Sequence, residues 1–105
     1  MKGTYTLKVK YLGNQKCTVL IKNMVKRIVL ESLKLTKASI IFIGLEEGCV
    51  VFVYQISAAV KSYILHHKFA PDGFASLALH DIECLIVDDT EIPIPSEFKV
   101  FKTQV

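Results

Sequence analysis

The sequence has no tryptophan, three cysteines, three prolines and five glycines in 105 residues. So little glycine and proline, beside 51% hydrophobic and 22% charged residues, excludes the disordered and low-complexity classes. A chain of this length makes one domain, because cores split only at roughly 250 to 300 residues. Long apolar runs are also missing. The longest uncharged stretch, residues 38–45, stops at Glu46-Glu47, short of the roughly 18 residues a spanning helix needs. Met1 is followed by Lys2 and Gly3 with no apolar region behind them, so neither a signal peptide nor a myristoylation start is expected and the expected location is cytoplasmic. Paired cysteine spacing is absent as well. Cys17, Cys49 and Cys84 stand far apart among apolar neighbours and read as reduced core thiols. Neither His66-His67 nor His80 stands at zinc-ligand spacing from them, so no metal and no cofactor is expected.

Each end of the chain lacks charge of one sign. Residues 1–37 carry nine basic side chains and one acid, Glu31, whereas residues 81–97 carry six acids and no base. The formal net charge of +3 hides this dipole, and a sum that small does not drive strong nucleic-acid binding.

Residues 5–11 alternate apolar and polar, the pattern of a strand with one buried and one wet face. From about Gln15 to Leu35 apolar residues recur at helical spacing: Cys17, Ile21, Met24, Val25, Ile28, Ser32 and Leu35. Val19 and Leu30 interrupt the pattern by falling on the basic side. Cys17 to Ile21 is also compatible with a second strand across Gly13-Asn14, which would make Asn23 the helix cap. Ala38 to Leu45 and Cys49 to Ile56 are β-branched and aromatic runs separated by Glu46-Glu47-Gly48, a hairpin signal. Ser57 caps a helix expected to run to about Lys68, Pro71-Asp72-Gly73 breaks it, and a short helical turn spans Phe74 to Leu79. Ile82 to Val87 reads as the last strand before an Asp88-Asp89-Thr90 turn. Residues 92–105, beginning Ile92-Pro93-Ile94-Pro95, form an extended tail or edge strand outside the domain of residues 1–91.

The order β-α-β-β-α-β predicts an α+β fold, a ferredoxin-like two-layer sandwich with a four-stranded antiparallel sheet and two helices on one face. The last strand would lie beside the first, setting Lys8 and Lys10 against Glu83 and its neighbours. The open face ought to be polar, yet Ile41, Ile43, Val51 and Val53 point to it. An apolar patch ringed by Lys8 and Lys10 marks a surface for another protein or a second copy, a homodimer included; otherwise the tail folds over it.

Other constellations carry less. His66 and His67 diverge by about 100° on a helix and cannot act together. Asp88-Asp89 lacks the rest of a calcium loop, and His80 and Cys84 lack a third, orienting group, so the chain is expected not to be an enzyme. The terminal Thr103-Gln104-Val105 is similar to the ligands that PDZ domains capture by strand addition. Ile41-Phe42-Ile43-Gly44-Leu45 is similar to one signature strand of RNA-recognition motifs, but Gly48-Cys49-Val50-Val51-Phe52 lacks the basic residue of the other. Nucleic acid therefore remains the alternative partner, through the lysine-rich first strand and helix. Val9-Lys10-Tyr11-Leu12-Gly13-Asn14 is similar to the first strand of phosphotyrosine-binding domains, whose seven strands and closing helix find no counterpart.

Residues 45–56, Leu45-Glu46-Glu47-Gly48-Cys49-Val50-Val51-Phe52-Val53-Tyr54-Gln55-Ile56, followed by a helix and then Leu77 through Ile82-Glu83-Cys84-Leu85, resemble the accessory and adaptor domains of animal NLR-like and death-domain signalling proteins. Within that group they look like a relative of the N-terminal domain of the TNF-receptor death-domain adaptor. Gly48 matches the hairpin glycine, Cys49 the small residue after it, and Val50, Phe52, Tyr54 and Ile56 the buried side of the strand; Ser57 stands where many members have proline. The resemblance covers about residues 38–88 and implies a ferredoxin-like, non-catalytic scaffold that recruits a partner in intracellular, innate-immune or death-domain signalling.

Overall fold

A computed structural model of the chain describes residues 4–13, 18–46 and 50–98. It is α+β: strands β1 (Thr4–Tyr11), β2 (Ile40–Glu46), β3 (Val51–Ser57), β4 (Ile82–Val87) and β5 (Thr90–Pro93), and helices α1 (Val19–Leu33), α2 (Ala58–Leu65) and α3 (Asp72–Leu79). All neighbouring strands are antiparallel in the order β2-β3-β1-β4-β5.

Two elements differ from the expectation of four strands and two helices. The fifth strand exists because Asp88 adopts a left-handed backbone (φ 54°), which lets the chain reverse after Val87 and pair Thr90 to Pro93 with β4. Proline is tolerated there because β5 is an edge. Ile92 and Ile94 then enter the core. The turn expected at Phe74 to Leu79 is a full helix beginning at Asp72, joined to α2 through a cis Ala70–Pro71 peptide.

Helix α1 begins one residue after Thr18, whose Oγ1 accepts from the Ile21 N–H at 3.2 Å. That hydroxyl satisfies one of the orphan donors of the first turn, so residues 19–21 are helical and Asn23 is interior. Lys34 in the left-handed region ends the helix, with the Leu35 N–H returning to the Leu30 carbonyl at 2.9 Å. The expected Ser57 cap holds α2, accepting from the Val60 N–H at 3.2 Å.

The apolar residues of each helix meet one face of the sheet. Leu7, Val9, Phe52, Tyr54, Ile56, Leu85, Val87 and Ile92 join Ile21, Val25, Ile28, Val29, Leu33, Ile64, Phe74 and Leu77 in one cluster. Burial of these side chains supplies the main stabilisation, about 1.5 to 3 kcal/mol each. Ser32 is the buried polar residue among those described; its Oγ shares a 2.7 Å hydrogen bond with Ser76 Oγ, tying α1 to α3. A second tie is the Tyr63 hydroxyl, which donates to the Leu33 carbonyl at 2.8 Å.

Candidate functional site: the open sheet face and the β2 edge

Strand alternation places Lys8, Lys10, Val51, Val53, Ile41 and Cys84 on the face away from the helices. Exposure divides them. Ile41 and Ile43 are each 54% exposed, whereas Val51 and Val53 retain 4% and 7%. The apolar surface is therefore confined to β2, a correction to the expectation of a four-residue patch on two strands. The cause lies in the charges. Lys8 Nζ meets Glu46 Oε1 at 3.1 Å; because Lys8 stands on β1 and Glu46 on β2, this ion pair spans the intervening β3 at the level of Val51 and Val53. A lysine on the strand beside the valines can cover apolar surface with its stem while its ammonium stays in solvent. On the other side Lys10 pairs with Glu83 at 3.5 Å, the cross-strand contact expected from the charge asymmetry.

β2 is the outer strand of the sheet, and among the described residues nothing pairs with its free side. A bulge interrupts it: Phe42 faces Tyr54 and Gly44 faces Val53, leaving Ile43 as the extra residue. A groove of about 310 Å3 opens beside Ile41, between Thr36, Ser39, Gln55 and Val60. The opposite edge is different. The Ile94 N–H turns inward to the Glu83 carbonyl at 3.4 Å, so by alternation Pro93 is turned outward, where it has no N–H to offer.

The titratable candidates are occupied. Asp88, read as a possible cation ligand, accepts from the Thr6 N–H through Oδ1 at 3.1 Å and from Lys61 Nζ through Oδ2 at 2.8 Å. The Lys61 bond, then the Thr6 bond, hold its carboxyl below the usual carboxylate range. Lys61 also lies 4.1 Å above the Tyr5 ring. His66 Nδ1 is 2.8 Å from the Ser62 carbonyl and His80 Nδ1 is 2.8 Å from that of Ser76, while the His67 ring packs edge-on to Phe74. Cys84 is a buried free thiol whose pKa is raised by burial first and by Glu91 and Glu83 next. No group of three metal-ligating side chains occurs among the described residues, and no helix is long and apolar enough to cross a membrane.

The basic residues do not form one surface. Lys8 and Lys10 sit on the open face, whereas α1 packs on the other face of the sheet, where its Lys22 stands over the Phe42 ring of β2 at 5.6 Å. Cys17, Gly48, Cys49, Thr103 and Val105 lie outside the described residues. The β2 edge was missed from sequence because strand order is a long-range property. The available signal was Pro93 and Pro95, which mark the other end of the sheet as an edge. No family model, curated protein or solved structure matches the chain.

Proposed function

We propose that the chain is a non-enzymatic protein–protein interaction module of the adaptor or oligomerisation type, which engages its partner through the outer edge of β2. The observation that carries this reading is a proline-free edge strand of seven residues whose outer side is unpaired among the described residues and which carries two half-exposed isoleucines. Such an edge accepts a further strand by main-chain hydrogen bonding, and pockets beside it select side chains. In this reading the order β2-β3-β1-β4 is a ferredoxin-like sheet extended by β5, in keeping with the resemblance of residues 45–56 and 77–85 to NLR-like and death-domain accessory modules; recruitment in cytoplasmic signalling is the role that resemblance suggests.

The nucleic-acid alternative has less support, because it combines lysines that lie on opposite faces of the sheet. A binding constant that falls steeply with salt would favour it.

The test is solution mass by light scattering after size exclusion, over a range of concentrations and at two salt levels. A salt-insensitive dimer is expected for self-association. Ile41→Lys and Ile43→Lys are each expected to cost association about 2 kcal/mol, the burial free energy of one half-exposed isoleucine, with circular dichroism and Tm unchanged. Val53→Lys is expected to fail differently. It buries a charge beneath the Lys8–Glu46 pair, so it lowers Tm in the isolated chain. Association that survives both isoleucine substitutions overturns the assignment.

A further inference from the structure

Away from the β2 edge, on the solvent side of α1, a second concavity of about 400 Å3 is lined by Asn23, Lys26, Arg27, Leu30 and Lys37. The first four recur at i, i+3, i+4 and i+7 and so share one helix face. Lys37 comes from the 3-10 turn Lys37–Ser39 that follows the left-handed Lys34, which reverses the chain and carries its cation back toward the helix. Every polar group of the lining is a hydrogen-bond donor or an amide, and none is an acid. Among the described residues no carboxylate lies within ion-pair distance of Lys26, Arg27 or Lys37; the acids that do pair, Glu46, Glu83, Asp72 and Asp88, are taken by Lys8, Lys10, Lys34 and Lys61. Glu31 stands one turn beyond Arg27 without closing an ion pair to it.

Three cations around one concavity, none with an ion-pair partner among the described residues, form a locally strong positive potential. A guanidinium matches two phosphate oxygens at once, and ammonium groups on flexible stems act as point charges that adapt to further phosphates. No aromatic ring lines the groove, so it lacks the stacking platform with which proteins hold bases. Leu30 gives it instead a small apolar floor.

We propose that this groove binds a multiply phosphorylated anion, either a free polyphosphorylated polyol or the same chemistry presented as a phosphoinositide headgroup. Arg27 takes one phosphate in bidentate fashion, Lys26 and Lys37 take the neighbouring ones, Asn23 donates an amide hydrogen bond, and the polyol ring rests on Leu30. The site is independent of the β2 edge and stands or falls separately from it.

The experiment is calorimetric titration of the full chain with inositol hexakisphosphate at physiological ionic strength. Saturable one-to-one binding is expected. Arg27→Gln and Lys37→Gln are each expected to weaken it about fivefold, and the triple glutamine variant including Lys26 about a hundredfold, as for the loss of exposed charge-assisted contacts. The Lys8→Gln/Lys10→Gln double variant removes two positive charges from the opposite face and is expected to change affinity less than about twofold, because its charges act through solvent and salt. Circular dichroism confirms that each variant is folded. Absence of saturable binding, or an equal loss in the opposite-face variant, overturns the proposal. Vesicles of phosphatidylcholine doped with phosphoinositide or, at matched charge, with phosphatidylserine separate the sources. Phosphoinositide-selective sedimentation supports the headgroup form, and hexakisphosphate binding without vesicle binding supports the free form. Equal sedimentation with phosphatidylserine overturns the site in favour of diffuse charge attraction, and a single-stranded oligonucleotide that displaces the hexakisphosphate overturns it in favour of nucleic acid.

Discussion

Replacing Tyr54 with phenylalanine should stabilise the protein. Tyr54 lies on β3, between Leu7 on β1 and Phe42 on β2, with no solvent exposure. Its ring meets that of Phe42 edge to face at 5.8 Å, and Tyr54→Phe keeps that contact. The hydroxyl is a different matter, because among the described residues it has no hydrogen-bond partner, and a buried donor left unpaired costs about 1 to 3 kcal/mol. Removing it is expected to gain about 1 kcal/mol, which for a domain of this size raises Tm by about 4 to 8 °C. Tyr63→Phe is the internal control. There the hydroxyl donates to the Leu33 carbonyl, and its loss is expected to cost about 1 kcal/mol. Burial also pushes the Tyr54 phenol well above the ordinary tyrosine range. The native state therefore keeps a proton that the unfolded chain releases above about pH 10, so stability is full below that pH and declines as pH rises beyond it. Tyr54→Phe should flatten that alkaline decline. Urea unfolding followed by circular dichroism, at neutral pH and above pH 10, reads both effects. If Tyr54→Phe loses as much stability as Tyr63→Phe, the hydroxyl has a partner and the reasoning fails.

At the acid end, Asp88 has its pKa lowered in the fold by Lys61 and Thr6, so its contribution is present above the unfolded carboxyl value near pH 4 and lost as pH falls through the lowered one. Asp88→Asn should be less stable than the wild type at neutral pH and converge with it in acid; parallel acid profiles would remove Asp88 from its linking role. Gly73→Ala probes the approach of α3 to α1, since a Cβ there would stand 2.5 Å from the Ser32 carbonyl oxygen and 2.5 Å from Phe69 Cδ2. A backbone oxygen cannot yield cheaply, so a loss of about 1 to 3 kcal/mol is expected in urea unfolding; an unchanged midpoint would mean the two helices separate freely.

What could be read from sequence was local. Ser57 announces α2 because its own side chain makes the cap, and Ile82 to Val87 is a strand with the expected bounds because a β-branched run stands between two turns. Pairing of β1 with β4, the strand expected to be the last, also followed from helix and strand order, together with the Lys10–Glu83 contact. The start of α1 was obscured by Val19 and Leu20, apolar residues that the fold leaves exposed, so periodicity misplaced the cap that Thr18 supplies. The candidate surface was only half legible. Alternation correctly turned Val51 and Val53 away from the helices, but the charge pair that spans them joins Lys8 to Glu46, about 40 positions apart in sequence, a contact that no local pattern encodes.

The two ends of the sheet differ, and that difference limits how far the molecule can be joined to copies of itself. Continuous growth needs two mutually complementary edges on every subunit, so that each addition regenerates the surface it used. Here β2 offers donors and acceptors, while β5 is short and ends on a proline. Two molecules meeting β2 to β2 about a two-fold axis would consume the longer, proline-free edge of each. The product of such a meeting would be a closed pair with β5 on both flanks, and an aggregation hazard at one edge would then be converted into a fixed stoichiometry by the sequence of the other.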